Sequence, residues 1–135
     1  MATLTHPADT RNAITNAVVD LIDGGTGTAN GALVFLTAGD AEVASLNMSN
    51  PAFDAAGTTG GNSAGVATAE AIFANTNCNE GTITKFEVRD RDGDVVFQGD
   101  VSDDNAATGS IQLSSTAIGS GDTLSVSTLT YTAPA

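Results

Sequence analysis

The chain has no tryptophan, one tyrosine, one cysteine and one histidine, and its four Lys and Arg face 16 Asp and Glu. Each shortage excludes something. Arg11, Lys85, Arg89 and Arg91 are the only cations and the formal net charge is -12, so there is no basic footprint to displace counterions from nucleic-acid phosphates. The same imbalance repels an anionic membrane surface. No apolar run approaches the roughly 18 residues that cross a bilayer. Met1-Ala-Thr-Leu-Thr-His-Pro7 has neither the basic nor the apolar region of a signal peptide, so the expectation is synthesis in a cytoplasm. Cys78 stands alone, which rules out an intrachain disulfide framework. It lies in a polar stretch with no cation nearby, and the expectation is a chemically idle loop thiol.

Large apolar side chains are also scarce. Of the 41% hydrophobic residues, 22 are alanines, and Leu, Ile, Val and Phe number 29. In 135 residues that is enough core for one globular unit and not for two. The expected organisation is an N-terminal arm, residues 1–9, and a single β-rich domain, residues 10–135.

One helix is expected, over residues 10–23. Ala13, Ile14, Ala17, Val18, Leu21 and Ile22 form an apolar stripe at helical period. Asp9 or Thr10 is the expected cap and Gly24-Gly25 the stop. Asp20 and Asp23 sit at the end where the helix dipole disfavours a negative charge, so packing must hold the helix in place.

Beyond it the chain reads as short strands. Residues 32–37 are expected to be buried on both faces. Residues 42–48 form a second strand with Val43 or Leu46, and Met48, inward; Asn50-Pro51 ends it and Phe53 anchors the corner. Residues 57–65 are a loop, and 66–73 a strand or short helix. Residues 82–89 and 95–101 form a hairpin around Asp92-Gly93, the favoured pair for a two-residue type I′ turn. That register sets Val88 opposite Phe97 and Phe86 opposite Gly99, with Phe86, Val88, Val95 and Phe97 on one face. Residues 111–115 and 123–132 are expected to form a second hairpin around Gly119–Asp122, with a β-bulge between Ser127 and Thr128 where the apolar parity flips. Six or seven short strands, one helix and 19 threonines point to a mainly β domain of β-sandwich or jelly-roll type.

Few motifs carry chemistry. Asp90-Arg-Asp-Gly-Asp94 spaces three carboxylates as Ca²⁺ ligands can be spaced, but glycine is fourth rather than sixth and the twelfth position is Val101. A tight hairpin tip with solvated charges explains it, with a Ca²⁺ site at Asp90, Asp92 and Asp94 as the minor reading. Gly25-Thr-Gly-Thr-Ala-Asn-Gly31 has a phosphate-loop look. It follows a helix and precedes a strand, the reverse of a dinucleotide loop, and has no P-loop lysine. His6 precedes a proline in the arm, and one histidine with one cysteine cannot build a metal cluster or a triad. No catalytic, cofactor or metal residue is assigned, and no enzymatic activity is expected. The glycosylation triplet Asn47-Met-Ser49 has no meaning without export.

The order of features resembles a family of small tailed-phage virion proteins of the head decoration, or cement, type. The likeness runs over residues 11–23 (RNAITNAVVDLID), 31–36 (GALVFL), 44–53 (ASLNMSNPAF), 86–101 (FEVRDRDGDVVFQGDV) and 120–131 (SGDTLSVSTLTY), the last two being the most telling. The resemblance implies a non-enzymatic structural protein on the outer capsid surface of a virion. Its partner would be the major capsid protein lattice, bound as a homo-oligomer with a trimer favoured, without nucleic acid or membrane. The other functions open to such a domain are a tail, neck or fibre-associated virion protein, and a Ca²⁺-dependent adhesion or carbohydrate-binding module.

Overall fold

The computed structural model describes residues 5–57, 63–103, 111–113, 115–126 and 129–132. It is mainly β, with one helix, α1 (Ala8–Asp20), continued by a 3₁₀ turn, Leu21–Asp23. The strands are β1 (Ala32–Leu36), β2 (Glu42–Asn47), β3 (Val66–Thr68), β4 (Gly81–Thr82), β5 (Lys85–Arg89), β6 (Val95–Asp103), β7 (Ile111–Leu113), β8 (Ala117–Ile118) and β9 (Thr130–Thr132). Five of them form one sheet in the order β2-β1-β5-β6-β7, antiparallel except for the β6–β7 pair, and β3-β9 and β4-β8 form small ladders. Phe97 of β6 meets Tyr131 of β9 at 5.0 Å between ring centroids, which ties the β3–β9 ladder to the main sheet. The arrangement is that of a small β-sandwich-like domain.

β1 is the central element of the fold. Leu33 and Phe35 face the core, and Val34 and Leu36 are buried on the opposite face, as a strand covered on both sides requires. On the core face Leu33 lies between Leu46 and Val88, and Phe35 between Ala44 and Phe86. In β2 the choice between Val43 and Leu46 resolves as both. A bulge opposite Phe35 and Leu36 makes Val43 an extra residue, so Val43, Ala44 and Leu46 all reach the core.

The β5–β6 hairpin keeps the expected register by two cancelling departures. Its loop is one residue longer than a two-residue type I′ turn. The Asp90 N–H bonds the Asp94 carbonyl, the Gly93 N–H bonds the Asp90 carbonyl, and only Gly93, at φ +87°, is left-handed. This is a three-residue loop with glycine in the αL position. A bulge at Val96 then absorbs the extra residue, and Val88 still meets Phe97 and Phe86 still meets Gly99. The cost falls on Val95. It pairs with Arg89 rather than facing the core, because a slip of one residue flips a side chain to the other face, and it is 48% exposed.

The second expected hairpin does not form. Gly119–Asp122 is a turn, closed by Asp122 N–H to Gly119 O and Gly119 N–H to Asp122 Oδ2. Its arms take separate partners, however: β8 pairs with β4, Leu124 bridges Asn75, β9 pairs with β3, and β7 lies parallel to β6. Three-residue strands carry too little alternation to choose a neighbour, and long-range packing makes the choice. The expected bulge at Ser127 and Thr128 lies outside the described residues. Residues 66–73 contribute strand only at β3, with a single bridge from Ala69 to Phe53.

The helix departs most from expectation. It begins earlier, at Ala8. Pro7 stands at the cap without a side-chain bond, so Asp9 and Thr10 are not caps, although Asp9 meets the favourable end of the dipole. The larger departure is which side it buries. Thr15, Val19 and Ile22 are buried, whereas Ala13 and Ala17 are exposed, Ile14 and Val18 half-buried and Leu21 59% exposed. At 3.6 residues per turn the exposed Ala13, Ala17 and Leu21 lie about half a turn from the buried set, and Ile14 and Val18 fall between them. Polar side chains hold the inner face. The Thr15 hydroxyl donates to the Gly65 carbonyl (2.5 Å), and Asn12 and Asn16 Oδ1 accept from the Gly65 and Ala56 N–H groups at 2.7 and 2.8 Å. The inner face rests on loops, whose backbone groups need partners in a dry setting. Asn and Thr supply them and Ile and Leu do not. Replacing Thr15 by Val strands the Gly65 carbonyl, and a loss of about 1–3 kcal/mol is expected in urea unfolding. Leu21→Ser is expected to stay within about 0.5 kcal/mol of the parent. The opposite ranking would restore the outward-polar helix.

The outer edge of β2 is closed. The Val43 carbonyl accepts from Asn79 N–H (2.8 Å), Ser45 from Asn75 Nδ2 (3.2 Å) and Asn47 from Phe73 N–H (2.9 Å). An irregular segment thus takes the row of acceptors that a further strand would use.

Candidate functional site

The two motifs that suggested ligands bind each other. Asp92, at the hairpin tip, points its carboxylate into the loop that looked like a phosphate cradle, where Oδ1 accepts from the Thr26 N–H (3.0 Å) and the Gly27 N–H (2.9 Å). Arg91 completes the junction: its N–H donates to Gly24 O, its carbonyl accepts from Thr28 N–H, and its Nε donates to Thr28 O at 2.7 Å. Glycine is required here on two counts. Gly25 has φ +105°, and a Cβ there would lie 2.6 Å from Asp92 Oδ2; one on Gly27 would lie 2.8 Å from Arg91 O. The loop does hold an anion, as successive backbone N–H groups can, and that anion is the chain's own Asp92.

This junction also engages the carboxylates proposed for Ca²⁺. Asp90 Oδ1 accepts from the Asp92 and Asp94 N–H groups at 2.9 and 3.0 Å, and Asp94 is exposed. Among the described residues no three His, Cys, Asp or Glu side chains gather as a metal site would need. The Thr26 and Gly27 N–H groups hold the Asp92 carboxyl below the usual carboxylate range. Because its folded value is lowered, the stability it contributes is present above the ordinary carboxylate value and is lost as pH falls through the lowered one. Asp92→Ala is therefore expected to flatten the acid limb of a plot of melting temperature against pH. It should also speed amide exchange at Thr26 and Gly27; an unchanged acid limb would count against the latch.

Three of the four cations are bonded within the chain. Arg89 Nε and Nη2 both bond Glu87 Oε1, at 2.9 and 2.6 Å, Lys85 pairs with Asp40, and Arg91 lies on Thr28. Arg11 lies against Gly65, with its Nε buried and without a hydrogen-bond partner. Between the Gly27–Asn30 loop and the hairpin tip runs a shallow groove of about 330 Å³, with Ala32 and Val34 on its floor and Ser45, Asn47 and Arg89 along it. Its charged groups are already engaged within the chain.

The remaining residues singled out in the sequence fall elsewhere. His6 is exposed in the extended stretch before the helix. Cys78, expected as a chemically idle loop thiol, is buried rather than displayed on its loop. It is 2% exposed, its backbone bonds to the Gly119–Asp122 turn, and burial pushes its thiol upward, away from the reactive thiolate. The outward apolar stripe of the helix was not foreseen. Periodicity reveals that a stripe exists and is silent on which way the helix is turned. No protein-family model, curated protein or solved structure matches the chain.

Proposed function

We propose that this is a non-enzymatic structural protein of a tailed-phage particle. In this reading it is a decoration protein that binds the outer shell built by the major capsid protein, as a homo-oligomer with a trimer favoured, after synthesis in the host cytoplasm. The observation that carries the reading is the closed β2 edge of the sheet. A protein displayed in many copies on a lattice must lie beside itself without pairing strand to strand, and the β2 edge is sealed from Asn47 to Val43. The net charge of -12, with Lys85, Arg89 and Arg91 bonded within the chain, adds repulsion between copies and from packaged nucleic acid. The order of features shared with small virion proteins points the same way.

Antibody labelling of purified particles of the encoding phage tests it. Label spread over the head is the expected result. Label confined to the tail or neck would replace this reading with that of a tail-associated protein, and particles shown by mass spectrometry to lack the protein would end both.

A further inference from the structure

The two ends of the main sheet differ. β2 is capped along its outer edge, but β7 takes only Val101–Asp103 of the nine-residue β6. The bonds to β5 set the direction of the β6 backbone groups. The Val101 N–H donates to the Thr84 carbonyl at 3.0 Å, and the same register sets Gly99 against Phe86 and Phe97 against Val88. Alternate residues of a paired strand turn their N–H and C=O groups to opposite sides. Phe97, Gly99 and Val101 therefore face β5, and Gln98 and Asp100 face away from it. Among the described residues no group bonds the outward backbone of Gln98 or Asp100, and both side chains are exposed. From Asp94 to Asp100 the strand carries two exposed carboxylates and no cation. Lys85, across from Asp100 on β5, is paired with Asp40 instead. On the other face Phe97 is half-buried beside Tyr131.

We infer that this stretch of β6 is the docking edge of the protein. It takes an extended segment of a protein partner by strand addition, with Lys or Arg set against Asp100 and an apolar side chain beside Phe97. The inference rests on the reading as a lattice-binding protein and names the surface that binds. Charge selects the occupant. A second copy, added antiparallel about Gln98, would line Asp94 and Asp100 of both chains along one short ladder with no cation on it. Nor does another segment of a second copy bring one. Lys85, Arg89 and Arg91 are bonded within β5 and its tip, and Arg11 stands on the helix against Gly65. Nucleic acid and anionic lipid are repelled and have no strand to add.

Amide exchange of the free chain is the first test. Gln98 and Asp100 are expected to exchange at least about 100-fold faster than Phe97 and Gly99, whose N–H groups bond β5. Equal protection would mean that the edge is already covered, and would overturn the inference. Binding is then read by co-sedimentation of the full chain with particles of the encoding phage assembled without it. Gln98→Pro removes an outward N–H that β5 does not use and puts the ring in its place, and it is expected to weaken binding by about 30-fold. Asp100→Asn keeps the backbone and should weaken binding by about 5-fold, with less sensitivity to salt. Leu21→Ser, on the helix, should bind as the parent does, and a cooperative melt establishes that each variant folds. If the parent binds no particle, the lattice-binding reading fails and this inference with it. A parent that binds, with Gln98→Pro and Asp100→Asn binding equally well, would reject the docking edge alone. Self-association of the parent that Gln98→Pro abolishes would overturn the choice of partner.

Discussion

Gly31→Ala is expected to destabilise the protein by about 3 kcal/mol, at the upper end of what one inserted methyl does to a packed site. A Cβ at this position would lie 2.3 Å from Ile22 Cγ2, 2.8 Å from the Arg89 carbonyl oxygen and 2.9 Å from that of Ile22. Two of these three neighbours are backbone, so a rotamer change cannot relieve them. Gly31 is also where the chain enters β1, and its carbonyl accepts from the Met48 N–H. A shift here disturbs the β1–β2 pairing as well as the helix seat. Urea unfolding should show a lower midpoint at unchanged slope. Trimming Ile22 to Ala removes the closest atom and leaves the carbonyl contacts. The double variant should therefore be less destabilised than the sum of the singles, a coupling that a double-mutant cycle reads directly. Additive losses would mean that the helix and the β1 entry do not meet at this point.

Phe35→Ala should cost about 3–5 kcal/mol, the range for deleting a buried ring. Phe35 is fully buried, central in the sheet, and flanked by Ala44 on β2 and Phe86 on β5. Phe86 in turn meets Phe97 edge-on at 6.4 Å. Its register partner on β2, Ala44, is small, so the cavity has little to collapse into it from directly across the pair. In a chain with only five phenylalanines, the expected outcome is loss of the cooperative transition at ordinary temperature. A well-formed transition with less than about 1 kcal/mol lost would contradict the placement of Phe35 at the centre of the core.

Legibility in the sequence followed the range of the interactions. The β5–β6 hairpin was readable because apolar alternation and an Asp-Gly pair lie within a dozen residues. Even there, the longer loop and the Val96 bulge compensate each other, and only the outward flip of Val95 betrays them. The helix was readable as a helix but not in its orientation. Asn12, Thr15 and Asn16 are drawn inward by backbone groups some 40 to 53 residues away, and those groups have no signature in the helix itself. The pairings of β7, β8 and β9 were hidden for the same reason. The Gly25–Gly31 loop and the Asp90–Asp94 tip each looked like half of a ligand site, and local motifs do not reveal that the missing half is the other one.

The cap on β2 has a consequence for how the protein would fail. Phe73, Asn75 and Asn79 hold the edge by four hydrogen bonds from an irregular stretch in which Phe73 is 55% exposed, while Cys78 is buried and Asn75 is bonded to Leu124. Its exposed Phe73 end, which holds only the Asn47 carbonyl, is the part that local opening can release first. What full detachment would uncover is a ready template: the carbonyls of Glu42, Val43, Ser45 and Asn47. The segment thus acts as a gatekeeper, and misassembly of this acidic protein would be nucleated by its detachment.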